Sequence, residues 1–375
     1  MHLDFREAHS PKALELYLTA RPADPASSTQ EARCIFKAIS GLLLQKKAWI
    51  CQERVFAPPG DIAALRQIRN QEYGPLADGV EPAFLATNDA PGVMPGVQVY
   101  AVATAQKPEV ITAGDAQARV FGAHGCHWLT ASGLQAPAAG DGPAQARAAF
   151  EKAGRLLRAA GGDLRNLART WIFMDDILAW YDQFNQARNA FFRDSGLLGP
   201  KGAGRLPAST GIGVSPADGS RCALDLFAVF GEEDALSHHE AAGMQRSANE
   251  YGSAFARAAV AKSPAGRTVF VSGTAAIDPA GVSCCRNDIA GQIQMTLDNV
   301  NAVLAQLSAE SADVVQAIAY CATAQAREQF LNRWAGQVSW PWLVMIGDVC
   351  RPELLFEVEA TACVGARPVQ PSTLS

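Results

Sequence analysis

The feature that most constrains the fold of this 375-residue chain is an internal repeat. In the last third, "VFVSGTAAIDPAG" and "FEVEATACV" enclose two helical patterns, and in the middle third "HWLTASGLQAPAAG" and "ALDLFAVF" enclose two similar ones. Each copy indicates a strand with a glycine turn, a long helix, a strand, a second helix and a closing strand. We therefore expect equivalent elements to build the core of each copy.

The first hundred residues repeat the same order more faintly. If Val102, Val229 and Cys363 are equivalent points of the closing strands, the spacings are 127 and 134 residues, or about 130 residues per unit. This spacing predicts three units, the first of them degenerate. The predicted units are residues 1–108, 109–240 and 241–375.

The expected architecture is α+β, with a mixed sheet and two helices on one face of it in every unit. Helical spacing supports the long helices, since Phe150, Ala153 and Leu157 share one face and so do Ile293 and Leu297. The uncovered sheet faces would pack against one another around a pseudo-threefold axis. The sequence thus predicts a monomer that acts as a pseudo-trimer.

Composition narrows the classes of function. With 32 Lys and Arg against 37 Asp and Glu, and no basic runs, nucleic acid is not expected as a partner. No apolar stretch reaches the roughly 18 residues of a membrane helix, and no signal pattern opens the chain. Nine cysteines without CxxC or Cys/His ligand spacing predict reduced thiols, a cytoplasmic location and no metal or other cofactor.

The closing strands differ at one position. Aligning them places three residues at that position: Gly96, Ala223 and Glu357. Two residues later the aligned residues are Gln98, Asp225 and Glu359. A carboxylate recurs at the second position, which favours a structural or solvated role there, but only the third unit has an acid at the first. The pattern favours a functional Glu357, with a solvent-exposed strand edge as the alternative.

The "SG" turn followed by an "E-x-E-A-x-A" closing strand resembles the Rid (YjgF-like) fold. Stand-alone Rid proteins are homotrimers with ligand clefts between subunits, so the resemblance implies clefts between the three units. Rid deaminases hydrolyse enamines and imines with an arginine two residues after a proline. Here Phe84, Ser209 and Leu343 stand at that position, which argues against deaminase activity.

The segments "RLPASTGIG" and "GDVCRPELLFEVEA" are similar to those of the chorismatases, which act on chorismate and release pyruvate. This resemblance implies that Glu357 is the catalytic glutamate. It also implies that Cys350, seven residues earlier, marks the branch that makes 3-hydroxybenzoate, with 4-hydroxybenzoate left open as a further product. Ala275 and Ala276 of "SGTAAI" would lie near the pocket. Without the resemblance, Cys350 would be interpreted as a small core residue.

Cleaving the enolpyruvyl ether of chorismate requires a proton on its terminal methylene carbon. Glu357 can supply it near neutral pH only if its pKa is raised, by burial and by a neighbouring carboxylate such as Glu359. The substrate's two carboxylates call for arginines. The candidates for binding substrate are Arg205, Arg257 and Arg169, with Tyr251, Gly273, Thr274 and Ala275 beside them. Each arginine could instead be a surface or interface residue.

The sequence is also compatible with three other functions. A chorismate hydrolase would give a dihydroxycyclohexadiene carboxylate instead of an aromatic product. A Rid-type imine or enamine deaminase would need an arginine that reaches the third cleft from elsewhere in the chain. A non-catalytic sensor of small carboxylates would bind its ligand without turnover.

Overall fold

A computed structural model describes residues 1–23, 28–199 and 205–369. The first unit comprises β1 (His2–Ser10), β2 (Ala13–Arg21), α1 (Ser28–Lys46), β3 (Trp49–Ala57), α2 (Ile62–Tyr73), β4 (Ala83–Ala86) and β5 (Gly96–Thr104). The second comprises β6 (Glu109–Ala113), β7 (Ala116–Ala123), β8 (Cys126–Leu134), α3 (Gly142–Ala159), β9 (Leu167–Met174), α4 (Ile177–Asp194), β10 (Ala208–Ile212), β11 (Ser215–Pro216) and β12 (Cys222–Phe230). The third comprises β13 (Leu236–His239), β14 (Ala258–Ser263), β15 (Gly266–Ala275), α5 (Ile289–Gln306), β16 (Val314–Cys321), α6 (Ala324–Arg333), β17 (Trp342–Ile346) and β18 (Phe356–Cys363), followed by β19 (Arg367–Pro368).

The three sheets share one topology. Their strand orders are β11-β4-β3-β5-β2-β1-β19, β10-β9-β12-β8-β7-β6 and β17-β16-β18-β15-β14-β13. In each, the closing strand lies between the hairpin and the strand that follows the first helix, and a short strand pairs parallel with that second strand. The predicted α+β architecture of three repeats is therefore confirmed.

The helices and sheets form three outer cores and one central core. Each outer core joins one sheet to its own two helices, as Phe36 of α1, Phe150 of α3 and Val300 of α5 show. The central core takes aromatic residues from all three sheets. Tyr100 and Phe227 lie 6.0 Å apart between ring centroids, and Phe227 and Phe270 lie 5.1 Å apart. The helix-free sheet faces therefore pack against one another, as the repeat predicts.

Strand pairing confirms the alignment of the closing strands. Gly96 pairs with Phe56, Ala223 with Phe173, and Glu357 with Tyr320, at the same point of each sheet. These three positions are therefore equivalent in strand pairing and carry a different residue in each unit.

Some strands join the sheet of another unit. β11 pairs with β4, and β19 pairs with β1, so both belong to the first sheet. β13 precedes the predicted boundary at residue 240 but pairs with β14 in the third sheet. The exact division into 1–108, 109–240 and 241–375 stays a prediction.

Buried polar contacts tie the units together across the central core. Arg54 of β3 donates to Asp225 of β12 at 2.7 Å, and Arg169 of β9 donates to Glu359 of β18 at 2.9 Å. Glu15 of β2 accepts hydrogen bonds from the third unit at 2.7 and 2.8 Å. The carboxylates that recur at the second aligned position thus both pair with an arginine of the preceding unit.

Replacing Asp225 with alanine should destabilise the protein, because it leaves the buried charge of Arg54 without a partner. We expect a loss of about 3–5 kcal/mol in the free energy of unfolding, measured by urea denaturation. Asp194→Ala is the matched control, because its pair with Arg147 is exposed and should contribute only about 0–1 kcal/mol. Equal losses in the two variants would contradict the structural role of the buried pair.

Candidate active site

A cavity of about 150 Å³ lies between the second and third units. The second unit contributes α4 and β10 to its wall, through residues such as Tyr181 and Gly211. The third unit contributes β15, β18 and the segments that contain Tyr251 and Cys350. The cavity therefore depends on the contact between two units, as the inter-unit cleft predicts.

Glu357 points from β18 into this cavity and is only 5% exposed. Room for its side chain is made by Gly273, since a Cβ there would lie 2.3 Å from Glu357 Oε1. Gly273 belongs to an irregularity in β15, where the pairing with β18 shifts between Val271 and Thr274. Within the described residues no side chain forms an ion pair or hydrogen bond with the Glu357 carboxyl.

The surroundings of Glu357 favour its neutral form. Burial, followed by the negative charge of Glu359, raises the pKa of Glu357 to about 8, although the positive charges of Arg169 and Arg257 partly oppose the rise. At neutral pH the carboxyl therefore carries a proton, inside a cavity that a ligand can enter. Both causes expected from the sequence, burial and the neighbouring Glu359, contribute to the shift.

Arg169 lies behind the cavity and not in its wall. Its Nη2 donates to Glu359 Oε2 at 2.9 Å and also to the hydroxyl of Thr210, and the side chain is 1% exposed. Burial lowers the pKa of Arg169 to about 10, which still leaves the guanidinium charged at neutral pH. Its pairing with Glu359 keeps the side chain out of the cavity wall, and its predicted contact with substrate stays a prediction.

Three other arginines line the cavity: Arg188 of α4, Arg257 and Arg351. Arg257 Nε donates to the Arg246 carbonyl at 3.0 Å and its Nη2 to the Tyr251 hydroxyl. In the part of the chain that the structure describes, none of the three forms a salt bridge with a carboxylate. Their charges are thus available to an anionic ligand.

The surroundings of Arg188 favour the binding of an anionic ligand. It is 2% exposed, its Nη2 donates to Asn185 Oδ1 at 2.6 Å, and its buried Nε has no hydrogen-bond partner. The guanidinium lies 5.0 Å from the ring centroid of Phe184 and 5.6 Å from that of Phe255. A buried cation without an anionic partner is unfavourable, so a carboxylate in the cavity would stabilise it.

Cys350 is half-buried in the cavity wall. Burial, followed by the charge of Glu357, raises the pKa of its thiol to about 12. The side chain is therefore a neutral thiol and not a thiolate nucleophile. It can act by occupying space or by hydrogen bonding, and a hydrogen bond links it to Tyr181.

Nine residues were predicted from the sequence to act in catalysis or substrate binding. Six of them line the cavity: Glu357, Cys350, Arg257, Tyr251, Gly273 and Ala275. Ala275 lies directly opposite Glu357 in the β15–β18 pairing. Thr274 is buried outside the cavity wall, where its hydroxyl donates to the Ser272 carbonyl at 2.8 Å, because it follows Gly273 on the alternate face of the strand. Arg205 is exposed outside the cavity wall, before β10 begins.

The contribution of α4 to the cavity wall was not predicted from the sequence. Tyr181, Asn185 and Arg188 are spaced by four and three residues, so they lie on one helix face. That spacing was a usable signal for a polar stripe, but it does not say which cleft the stripe faces. Arg351, which follows Cys350 directly, was also missed.

Among the described residues, the two other inter-unit clefts have no acid at the position equivalent to Glu357. At Gly96 a Cβ would lie 2.2 Å from the Ala20 carbonyl oxygen and 2.8 Å from Leu343 Cδ2, so no larger residue fits there. The cleft between the first and second units is lined by Ala223 and Gly133. The equivalent positions have therefore diverged in chemistry while keeping the same place in the strand pairing.

The described residues contain no cluster of three or more His, Cys, Asp or Glu side chains that could hold a metal ion. None of the helices in the described ranges is long and apolar enough to cross a membrane.

Comparison with known proteins identifies the fold. Residues 248–364 match the family model of endoribonuclease L-PSP. A crystal structure of a chorismatase superposes with a TM-score of 0.63 and 19% identity, covering 84% of this chain and 93% of that one. No curated protein sequence matches the chain.

Single-unit proteins match about one third of the chain. A protein of the YjgF/YER057c/UK114 family from Mycobacterium tuberculosis has 23% identity and a TM-score of 0.27, covering 34% of this chain and 99% of its own. A putative endoribonuclease L-PSP from Entamoeba histolytica has 18% identity and a TM-score of 0.29, with coverages of 34% and 99%. The family model and the chorismatase superposition show that this chain has the Rid (YjgF-like) fold.

Replacing Glu357 with glutamine should stabilise the protein in a pH-dependent way. Glu357 titrates near 4.5 when unfolded and near 8 when folded, so between these values the folded protein keeps a proton that the unfolded chain has released. Stability therefore falls as pH rises through this window. We expect the variant to exceed the wild type by about 1–3 kcal/mol in free energy of unfolding at pH 8, and by much less at pH 5.

Urea denaturation at both pH values measures this effect. Glu151→Gln, which replaces an exposed glutamate, should show a difference from the wild type that does not change between the two pH values. A Glu357→Gln difference equal at pH 5 and pH 8 would contradict the raised pKa.

Proposed function

We propose that this protein cleaves chorismate into pyruvate and 3-hydroxybenzoate, with Glu357 as the acid. The observation that carries the proposal is a neutral carboxyl group, buried in the wall of a cavity that three arginines also line. A general acid that gives a proton to carbon must be neutral before the reaction, and an anionic substrate needs positive charges in the wall of its site. The reaction therefore requires the neutral carboxyl group and the arginines in one cavity. The shared fold with a chorismatase over 84% of the chain supports the proposal.

The negative charges of chorismate complement the positive charges of the cavity wall. Chorismate carries two carboxylates, and Arg188, Arg257 and Arg351 are the arginines that line the cavity. Planar guanidinium groups bind carboxylates through paired hydrogen bonds, which fixes the orientation of the bound molecule. Tyr251 adds a hydroxyl beside Arg257. These groups would hold the enolpyruvyl methylene towards Glu357.

The first chemical step is proton transfer. Glu357 gives its proton to the terminal methylene carbon, which converts the enol ether into an oxocarbenium ion and leaves a carboxylate. The same burial that raises the pKa of Glu357 to about 8 makes this carboxylate a competent base for the last step. The positive charge that develops on the substrate lies beside the new negative charge, so the two stabilise each other.

The second step decides the product. The ring hydroxyl next to the ether displaces the pyruvate oxygen and forms an arene-oxide-like intermediate, whose opening and loss of a proton give 3-hydroxybenzoate. The released proton restores Glu357, so chorismate becomes pyruvate and hydroxybenzoate without addition of water. Cys350 would favour this route by occupying space that an attacking water needs, or by binding the ring hydroxyl. Hydrolysis would instead consume one water and give the diol.

A second candidate function is imine or enamine hydrolysis of the Rid type. The proline-linked arginine is absent, but Arg188 reaches the cleft from α4 and could hold a substrate carboxylate in its place. Acceleration of iminopyruvate hydrolysis by the purified protein tests this function. We further propose that the chain acts as a cytoplasmic monomer on a small molecule, without a cofactor.

Replacing Glu357 with glutamine should abolish turnover, since the amide has no acidic proton to give. We expect kcat for pyruvate release from chorismate to fall by about 10²–10⁴-fold. In the wild type, kcat should decrease as pH rises through about 8, where Glu357 loses its proton, and this limb should vanish in the variant. Glu151→Gln should keep full activity, and a Glu357→Gln enzyme of normal kcat would exclude the mechanism.

Replacing Cys350 with alanine should shift the products from 3-hydroxybenzoate towards the dihydroxycyclohexadiene carboxylate, because water gains space beside the oxocarbenium ion. Chromatography of reaction products, with pyruvate as the common reference, measures the ratio. Cys34→Ala removes an exposed cysteine and should leave the ratio unchanged. An unaltered 3-hydroxybenzoate yield in Cys350→Ala would remove this residue from the branching step.

A further inference from the structure

A second, larger cavity of about 560 Å³ lies between the third and first units. Its wall comes from α6 and β17 on one side and from β1, β2 and the segment before β5 on the other. Of these elements, α6, β17 and β2 are the counterparts of α4, β10 and β15 in the cavity around Glu357. The cavity is thus an inter-unit cleft of the same fold, although its residues differ.

The side chains of this cavity combine aromatic surface with positive charge. Trp340 and Trp342 lie in its wall with ring centroids 5.1 Å apart, and both are almost fully buried. Arg6 and Arg21 lie on the same face of the β1–β2 pair, the face turned towards the other units. Aromatic rings and guanidinium groups are features that bind a planar anion.

The charge balance of the cavity wall is positive. Arg327 is already paired with the buried Asp89, so its charge is compensated. Arg6 donates one hydrogen bond to the Ser339 carbonyl at 2.9 Å, and in the described ranges neither Arg6 nor Arg21 forms a salt bridge. Asp4 is the acidic residue in the wall, so the two arginines leave an excess of one positive charge.

This cleft has no acid at the position equivalent to Glu357. Gly96 holds the position equivalent to Glu357, and Leu343 fills the space beside it. A molecule that enters the cavity would therefore be bound and not converted.

We propose that the cleft between the third and first units binds an aromatic monocarboxylate. The ring would lie against Trp340 and Trp342, and the carboxylate would contact Arg6 and Arg21. The inference rests on the residues of this cavity and is independent of the reaction at Glu357.

The test follows benzoate binding through the tryptophan side chains. In protein labelled with ¹⁵N-tryptophan, the indole signals of Trp340 and Trp342, assigned by Trp→Phe variants, should shift on titration with benzoate. The signal of Trp128, in the second unit, should not shift. Benzamide, which has the same shape but no charge, should require at least fivefold higher concentrations.

Arg21→Gln is the decisive variant, because Arg21 is exposed at the end of β2 and its loss should not disturb folding. We expect the benzoate concentration at half-saturation to rise at least fivefold in this variant. Arg333→Gln removes an exposed arginine of α6 outside the cavity wall and should leave the value unchanged. Absence of any shift at Trp340 and Trp342, or equal affinity in Arg21→Gln and the wild type, would overturn the proposal.

Discussion

The buried ion pair between Arg169 and Glu359 is the interaction on which the candidate site depends. It joins β9 of the second unit to β18 of the third, and the cavity lies at this junction. The hydrogen bond from Arg169 holds the Glu359 carboxylate in place, two residues from Glu357 on β18. The negative charge of this carboxylate adds to burial in raising the pKa of Glu357 to about 8. One contact thus contributes to both the assembly and the electrostatics of the site.

Fusion of three units explains why one cleft can differ from the others. In a trimer of identical chains, a residue in one cleft is present in all three. Here the equivalent positions carry Gly96, Ala223 and Glu357 on strands of the same register. The strand pairing is preserved because packing of the sheets requires it, whereas the side chain at this position changes from one unit to the next. The three clefts can therefore differ in chemistry without a change of fold.

Sequence periodicity was sufficient for the architecture and for part of the site. Strand alternation placed Glu357 and Glu359 on one face, and the repeat showed which acid had no counterpart. Arg205 lies outside the cavity wall, because it is exposed and stands three residues before β10 begins, so strand alternation does not direct its side chain. The role of Arg188 arises from the docking of α4 against the third unit. Such long-range contacts leave no local pattern in the chain.

The protonation state of Glu357 is the central claim, and it can be measured directly. In protein labelled with ¹³C at the glutamate side-chain carboxyl, the Glu357 signal, identified by its absence in Glu357→Gln, can be followed from pH 4 to pH 9. A single transition of the Glu357 signal near pH 8, well above pH 6, is expected. A transition near the ordinary glutamate value of about 4.3 would show an ionised carboxylate at neutral pH and would contradict the proposed chemistry.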